Sequence, residues 1–197
     1  MEKKIAFFDF DGTITKADSF FRFVIFATSW KDLVFKGVSL VPMLVQYKLK
    51  FISNHVAKAT ALRKLFKGIP EKELDRLGQE FFKLRVPALL KQSALDKIQW
   101  HKDEGHTVYL VSASVNYWLQ EFTKSQGIGL ICTTMESKDG IMTGEQSSKN
   151  CYGAEKVRRI KEVVDLSEFS YSYAYGDTRG DKEMLEMVDE DYYCYFH

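Results

Sequence analysis

The 197-residue sequence contains three cysteines and four histidines, and this scarcity argues against two kinds of stabilising centre. The cysteines are widely spaced and odd in number. They therefore indicate reduced thiols in a cytoplasmic protein rather than a disulfide framework. The histidines show no spacing typical of a zinc site. We expect neither a disulfide scaffold nor a zinc centre.

Long apolar segments are also missing from the sequence. The most apolar run, residues 37–47, is shorter than the roughly 20 residues that a membrane-spanning helix needs, and Lys36 and Lys48 flank it. The first residues lack the apolar core and cleavage site of a signal peptide. We therefore expect no transmembrane segment and a cytoplasmic location.

The sequence has no overall excess of basic or acidic residues, since the net charge is +1. We therefore expect no nucleic-acid partner. The distribution is uneven, because residues 16–67 contain ten basic and two acidic residues. This basic segment also carries many long apolar side chains, and two interpretations are open. It forms a helical bundle with solvated lysines, or it makes a peripheral contact with an anionic membrane.

Apolar runs alternate with helical patterns over much of the chain. The runs that predict strands are residues 4–10, 106–114, 128–137, 169–177 and 192–197, and the helical patterns between them are 115–127 and 154–164. This alternation predicts an α/β fold with a parallel, Rossmann-like sheet covered by helices on both faces. Ligands of such sheets bind at the carboxyl ends of the strands.

The alternation stops between residues 16 and 104, where only helical patterns occur. We expect one helix over residues 71–84 and another that begins at Pro87. The sequence thus predicts a core made of residues 1–15 and 105–197, with a helical cap inserted at 16–104. Within the core, Asp139-Gly140 is a hairpin signal and predicts a small β-flap.

Two carboxylates, Asp9 and Asp11, follow directly after the first strand. Burying an unpaired charge costs several kcal/mol, so a cation is expected beside them. Asp177 ends a later strand, and Asp181 follows four residues further on. Mg²⁺ prefers oxygen ligands and commonly binds through one or two carboxylates together with substrate phosphate. The four aspartates therefore predict a Mg²⁺ site.

Four motifs resemble those of the haloacid dehalogenase-like phosphohydrolase superfamily, and they stand in the same order. They are Asp-Phe-Asp-Gly-Thr at 9–13, Ser112, Lys156 and Gly-Asp-Thr-Arg-Gly-Asp at 176–181. The helical insertion after the first motif is similar to the cap of subfamily IB, the phosphoserine-phosphatase-like branch. This branch includes phosphatidylglycerophosphatase-C-like proteins.

The resemblance implies a Mg²⁺-dependent phosphatase with defined roles for its acidic residues. Asp9 is the expected nucleophile, and it forms an aspartyl phosphate. Asp11 protonates the leaving oxygen and then deprotonates the attacking water. Mg²⁺ is expected to contact Asp9, the main-chain carbonyl of Asp11, and Asp177. Asp181 is either a metal ligand through water or the N-cap of the final helix, and Thr13 is expected to orient Asp11.

The same resemblance implies a site for the phosphate and a question about the rest of the substrate. Ser112, Lys156 and the main chain near Phe10 and Ala113 are expected to hold the phosphate oxygens. Asp18 stands where phosphoserine phosphatases carry an acidic residue that meets the substrate amine.

Two departures from those enzymes make phosphoserine a doubtful substrate. The chain has Ser-Ala-Ser at 112–114 instead of Ser-Gly-Gly, and Gly180 stands where those enzymes carry Asn. The expected substrate is a small phosphometabolite or a lipid phosphate. The alternatives are a phosphotransferase that uses the same intermediate and a noncatalytic phosphate-binding module.

Overall fold

A computed structural model describes residues 2–28, 40–42, 45–46, 49, 51 and 54–197 of the chain. The strands are β1 (Lys4–Phe8), β2 (Thr107–Val115), β3 (Gly129–Thr133), β4 (Met135–Lys138), β5 (Ile141–Gln146), β6 (Tyr171–Gly176) and β7 (Glu190–Tyr193). The helices are α1 (Ser19–Ala27), α2 (Asn54–Phe66), α3 (Glu71–Leu84), α4 (Gln92–Asp103), α5 (Asn116–Gln126), α6 (Ala154–Val163) and α7 (Lys182–Leu185). Short helical turns lie at Phe10–Ile14, Val86–Leu89, Leu166–Glu168 and Arg179–Asp181.

Five parallel strands form the central sheet in the order β3-β2-β1-β6-β7. β1 lies in the middle, where Phe7 pairs with Tyr109 of β2 and Ala174 of β6. Its continuous apolar run is typical of a strand that is buried on both faces. The predicted α/β fold with a parallel sheet is confirmed.

Neighbouring residues of β1 pack on opposite faces of this sheet. Phe7 belongs to a cluster with Ile160 of α6 and Met184 of α7. Phe8 faces the other way and stacks on Tyr175, with the ring centroids 4.3 Å apart. Helices cover both faces, so the carboxyl edge of the sheet is where polar side chains meet a cavity.

The inserted helices α1 and α3 pack on α5 through aromatic side chains. The Phe23 ring of α1 lies 4.4 Å from the Trp118 ring of α5 and 5.4 Å from the Phe81 ring of α3. By contrast, α4 packs on the sheet, where its His101 ring meets the Phe8 ring edge to face at 5.7 Å. These contacts favour an insertion that ends before Gln92. The division at residues 16 and 104 stays a prediction.

The helix predicted to begin at Pro87 is interrupted, which corrects that expectation. Pro87 is the second residue of a short turn at Val86–Leu89, the backbone becomes extended at Leu90, and α4 begins at Gln92. The reason is tertiary, because Leu90 forms an antiparallel bridge with Thr15 after the first motif.

Two strand predictions also need correction. The run 128–137 is divided between β3 of the central sheet and β4, which pairs with β5 in the predicted two-stranded flap. The last strand is Glu190–Tyr193 rather than 192–197, because Cys194 has a φ of +52° and turns the chain.

A membrane-spanning helix would need both length and apolar character. None of the helices in the described part of the chain combines the two. The apolar run 37–47 lies partly outside the described residues.

Candidate active site

A cavity of about 310 Å³ opens at the carboxyl edge of the sheet. Its walls come from the ends of β1, β2 and β6, from the start of α6, and from α2 of the insertion. The lining residues are Asp9, Asp11, Asp18, Lys58, Ser112, Ala113, Asn150, Tyr152, Lys156, Thr178 and Asp181. The cavity therefore brings together most of the predicted site residues.

Lys156 is a deeply buried charge of this cavity. Its side chain is 1% exposed, and its ammonium donates to Asp9 Oδ1 at 2.6 Å, Asp181 Oδ1 at 2.6 Å and the Val111 carbonyl at 2.7 Å. Burial lowers the pKa of Lys156, but the two carboxylates outweigh burial and raise it overall. Lys156 thus remains a fixed positive charge between two acidic residues.

Asp9 and Asp181 share this lysine but differ in their proton affinity. Burial raises the pKa of Asp9 to about 7, although Lys156 acts in the opposite direction. Asp181 is also buried, but Lys156 and the donors of Thr178 outweigh burial and lower its pKa. A further cation would therefore favour the ionised form of Asp9.

Three carboxylates could hold such a cation. Asp9, Asp177 and Asp181 each offer a carboxylate oxygen, and these atoms lie within 4.8 Å of one another. The donor set consists of oxygens, which is the chemistry that Mg²⁺ prefers, so the residues fit this ion. The side chain of Asp11 points elsewhere, and its predicted metal contact through the main-chain carbonyl stays a prediction.

Asp181 also caps the turn that precedes α7. Its Oδ2 accepts hydrogen bonds from the Thr178 main-chain N–H at 2.9 Å and from the Thr178 hydroxyl at 2.8 Å. Asp181 precedes α7 but its side chain makes no capping hydrogen bond to that helix, so the predicted N-cap of the final helix is wrong. Its metal contact through water stays a prediction.

Asp11 accepts hydrogen bonds from two donors, one at the start of α1 and one near the end of β2. Its Oδ1 accepts from the Ser19 main-chain N–H at 2.6 Å, and its Oδ2 accepts from the Ser114 hydroxyl. Burial, followed by the nearby Asp18 carboxylate, raises the pKa of Asp11. The expectation that Thr13 orients Asp11 is wrong, because Ser19 and Ser114 do so.

Thr13 and Gly12 instead position Asp177. The Thr13 hydroxyl donates to Asp177 Oδ1 at 3.0 Å. Gly12 has a φ of +91°, and a Cβ at this position would lie 2.0 Å from Asp177 Oδ2. The glycine is required here for two reasons, because it permits the left-handed backbone and leaves room for the carboxylate.

Asp18 lies at the cavity but already has partners. Its Oδ1 caps α1 by accepting from the Phe20 N–H at 2.9 Å, and Lys58 Nζ lies 3.2 Å from its Oδ2. An amine at this position would meet a carboxylate that is already paired with Lys58.

The remaining predicted phosphate ligands lie close together. The buried Ser112 hydroxyl accepts from the Ser114 N–H at 3.1 Å, and Ala113 lines the cavity between them. The side chain of Phe10 is in the core, where its ring centroid lies 5.2 Å from that of Phe122. Phe10 can therefore reach a ligand through its main chain alone.

Four residues that line the cavity were not predicted as site residues: Lys58, Asn150, Tyr152 and Thr178. Ser114, whose hydroxyl donates to Asp11, was not predicted as a site residue either. Ser114 did carry a signal, because it ends a strand run at the carboxyl edge of the sheet. Lys58 was one of ten basic residues in its segment, and nothing in its spacing distinguished it from the others.

Comparison with known sequences identifies similar proteins over nearly the whole chain. Residues 6–186 match the family model of haloacid dehalogenase-like hydrolases. Protein CicA of Caulobacter vibrioides is 32% identical over 199 residues, which cover 99% of this chain and 87% of CicA. Phosphoserine phosphatase SerB1 of Mycobacterium tuberculosis is 26% identical over 191 residues, which cover 93% of this chain and 62% of SerB1.

Solved structures show the same fold. A protein of unknown function from Bordetella pertussis Tohama I superposes with a TM-score of 0.82 at 24% identity, covering 97% of this chain and 89% of that protein. A substrate-bound phosphoserine phosphatase superposes with a TM-score of 0.69 at 16% identity, covering 98% of this chain and 86% of the phosphatase. At these identities the likeness concerns the arrangement of helices and strands.

Proposed function

The chain belongs to the haloacid dehalogenase-like hydrolase family, and from this premise we propose that it is a Mg²⁺-dependent phosphatase acting through an aspartyl phosphate. The observation that carries the proposal is the environment of Asp9. The lysine ammonium of Lys156 lies on one side of its carboxylate, and Asp177 and Asp181 lie within reach of a shared cation. The substrate would be a phosphomonoester.

The reaction proceeds in two steps on the residues of this chain. An Asp9 oxygen forms a bond to phosphorus while the bond to the leaving oxygen breaks, and Asp11 gives that oxygen a proton. Asp11 then takes a proton from the water that attacks the phosphoryl group and releases Asp9. The raised pKa of Asp11 supports its role as the acid of the first step.

Other residues of the cavity would hold the phosphoryl group during both steps. Lys156, Ser112 and the main chain at Phe10 and Ala113 are suited to bind its oxygens, where charge is spread in the transition state. Asp9, Asp177 and Asp181 would hold Mg²⁺, which would supply positive charge to screen the carboxylates and the phosphoryl oxygens.

The decisive experiment is hydrolysis of an aryl phosphate by wild type and Asp9→Asn, with Mg²⁺ and with chelator. We expect wild-type turnover that needs Mg²⁺, and no turnover above background for Asp9→Asn. Asp103→Asn, which changes an exposed carboxylate at the end of α4, is the matched control and should keep wild-type activity. Full activity of Asp9→Asn would exclude Asp9 as the nucleophile.

Two other functions would use the same site differently. A phosphotransferase would pass the phosphoryl group from Asp9 to an alcohol, and it would release product in proportion to added acceptor rather than free phosphate. A noncatalytic module would not need the carboxylates, and the presence of Asp9, Asp11 and Asp177 together argues against it.

The identity of the substrate calls for a panel of phosphometabolites and lysophospholipids. The ion pair of Asp18 and Lys58 at the cavity gives the leaving group both a positive and a negative partner. We expect substrates that carry a polar or charged group beside the phosphate to be preferred over simple alkyl phosphates.

Contact of the basic segment with anionic membranes also stays a prediction, as does a cytoplasmic location. The exposed side chains of Val41, Val45 and Leu49 lie within this segment and support membrane contact. Co-sedimentation with anionic and with neutral vesicles at low salt tests it. Failure to bind anionic vesicles would count against a membrane-associated substrate.

A further inference from the structure

We propose that Lys91 is a positioning residue that fixes the metal-binding carboxylate of Asp177 by holding the loop at Gly12. The inference rests on the function proposed above. Lys91 lies outside all four sequence motifs and does not line the cavity. Its positioning role is therefore inferred from its contacts in the folded protein.

Lys91 binds the loop that follows β1, through both its side chain and its main chain. Its ammonium donates to the Gly12 carbonyl at 2.6 Å, and its main-chain N–H donates to the Ile14 carbonyl at 2.8 Å. A third bond from the Lys16 N–H to the Leu89 carbonyl, at 2.8 Å, continues the same pairing. The loop is thus tied to the segment that leads into α4.

The same ammonium reaches the last part of the chain, where it donates to the Phe196 carbonyl at 3.1 Å. Phe196 is buried, and its ring stacks on Tyr175 of β6 with the ring centroids 5.3 Å apart. Tyr175 lies two residues before Asp177. Lys91 therefore joins the loop after β1 to the elements around the end of β6.

The loop that Lys91 binds also contacts Asp177, through Gly12 and Thr13. Gly12 has no room for a Cβ beside the Asp177 carboxylate, and Thr13 donates to Asp177 Oδ1 at 3.0 Å. Any movement of the Gly12 carbonyl would shift both contacts. Lys91 thereby sets the direction of the Asp177 carboxylate through this loop, in addition to the direct effect of its charge on Asp177.

Metal affinity is the property that such a residue should control. Partners that orient metal ligands typically change metal affinity by 10–100-fold when they are mutated. We expect Lys91→Met, which keeps an unbranched side chain and removes its donors, to weaken Mn²⁺ binding by about tenfold. The measurement is a Mn²⁺ titration followed by electron paramagnetic resonance, and it needs no substrate.

Lys102→Met, near the other end of α4, is the matched control and should bind Mn²⁺ like wild type. Thr13→Val removes the hydroxyl that contacts Asp177. If Lys91 acts through this loop, the effects of Lys91→Met and Thr13→Val on Mn²⁺ affinity will not add in the double variant. A residue that only stabilised the fold would lower the unfolding temperature and leave Mn²⁺ affinity unchanged.

Kinetics give a second readout. For Lys91→Met the Mg²⁺ concentration for half-maximal activity should rise about tenfold, while kcat at saturating Mg²⁺ stays within a few-fold of wild type. If Lys91→Met does not fold, Lys91→Leu, which also lacks a donor, is measured against the same criterion. Mn²⁺ affinity equal to wild type in the folded variant overturns the role of Lys91 alone. A wild type that neither binds Mn²⁺ nor hydrolyses phosphate overturns the proposed function as well.

Discussion

The ammonium of Lys156 lies 2.6 Å from Asp9 Oδ1, although 147 residues separate the two along the chain. This contact joins the start of α6 to the end of β1 and removes both groups from solvent. A buried ion pair is costly when one partner is lost, because the other charge then has no compensation. The pair therefore serves the chemistry of the site, and the stability of the fold also depends on the pair.

Lys156→Met tests this dependence. We expect kcat to fall by about 100-fold or more, as happens when a donor to the developing charge is removed. We also expect the free energy of unfolding to fall by about 3–5 kcal/mol, because Asp9 and Asp181 lose their common partner. Steady-state kinetics and urea denaturation measure the two effects. Lys161→Met on the exposed side of the same helix is the control, and near-normal turnover of Lys156→Met would refute the role of Lys156.

Gly12→Ala should abolish Mg²⁺ binding while the protein still folds. The added Cβ would meet Asp177 Oδ2 at 2.0 Å, whereas Gly68 has a similar φ of +84° and nothing within 4 Å of such a Cβ. Gly68→Ala is thus a control for backbone strain alone. We expect Mg²⁺ to raise the unfolding temperature of Gly68→Ala as in wild type and to leave that of Gly12→Ala unchanged. Equal Mg²⁺ responses would show that the carboxylate adapts to the methyl group.

Stabilisation by Mg²⁺ should be greater at pH 8 than at pH 5.5. Burial raises the folded-state pKa of Asp9 to about 7 from the ordinary value of 3.8. Without metal, the folded protein therefore retains this proton, and the stability that Asp9 contributes is lost as the pH rises through about 7. Mg²⁺ competes with that proton, so it binds better once Asp9 is ionised.

The measurement is the unfolding temperature with Mg²⁺ minus that with chelator, at both pH values. Asp177→Asn should reduce the difference to near zero at each pH. A Mg²⁺ effect that is the same at pH 5.5 and pH 8 would argue that Asp9 is ionised throughout this range.

The meeting of Asp9, Asp177 and Ser112 at one edge could be predicted from the sequence, since each follows or ends a strand-like run. Parallel strands bring their carboxyl ends to the same edge, so the prediction needed the order of elements and no distances. Lys156 could be predicted through the resemblance of its motif, because a lysine in the first turn of a helix carries no signal by itself.

The contacts that orient these groups could not be predicted. Thr13 donates to Asp177 across 164 residues, and Lys91 reaches Gly12 across 79 residues. Whether a threonine hydroxyl turns toward Asp11 or Asp177 depends on a rotamer that periodicity does not encode. The break before α4 was missed for a related reason, because Leu90 pairs with Thr15 of a distant loop and local helical propensity gives way.

His101 should make the protein less stable in mild acid. It is fully buried, its Nδ1 lies 2.8 Å from His106 Nδ1, and its Nε2 lies 3.0 Å from the Tyr175 hydroxyl. Burial, followed by the charges of His106 and Lys97, lowers the pKa of His101 to about 3. In a neutral pair one of the two facing Nδ1 atoms donates to the other, and a proton added to the accepting Nδ1 would put hydrogens on both, so the geometry agrees with a neutral pair.

The folded-state pKa of His101 lies below its ordinary value of 6.5, so the unfolded chain takes up a proton that the folded protein does not. The stability that His101 contributes is present above pH 6.5 and is lost as the pH falls toward 3. Between pH 6.5 and 5 this loss amounts to about 2 kcal/mol.

Asp9 acts in the opposite direction over the same range, so the comparison must be between variants rather than between pH values alone. His101→Gln should be less stable than wild type at pH 7 and should lose less stability on acidification, whereas His197→Asn should follow the wild-type curve. Urea denaturation at pH 7, 6 and 5 in the presence of chelator measures this, and parallel curves for wild type and His101→Gln would mean that His101 already binds a proton in the folded state.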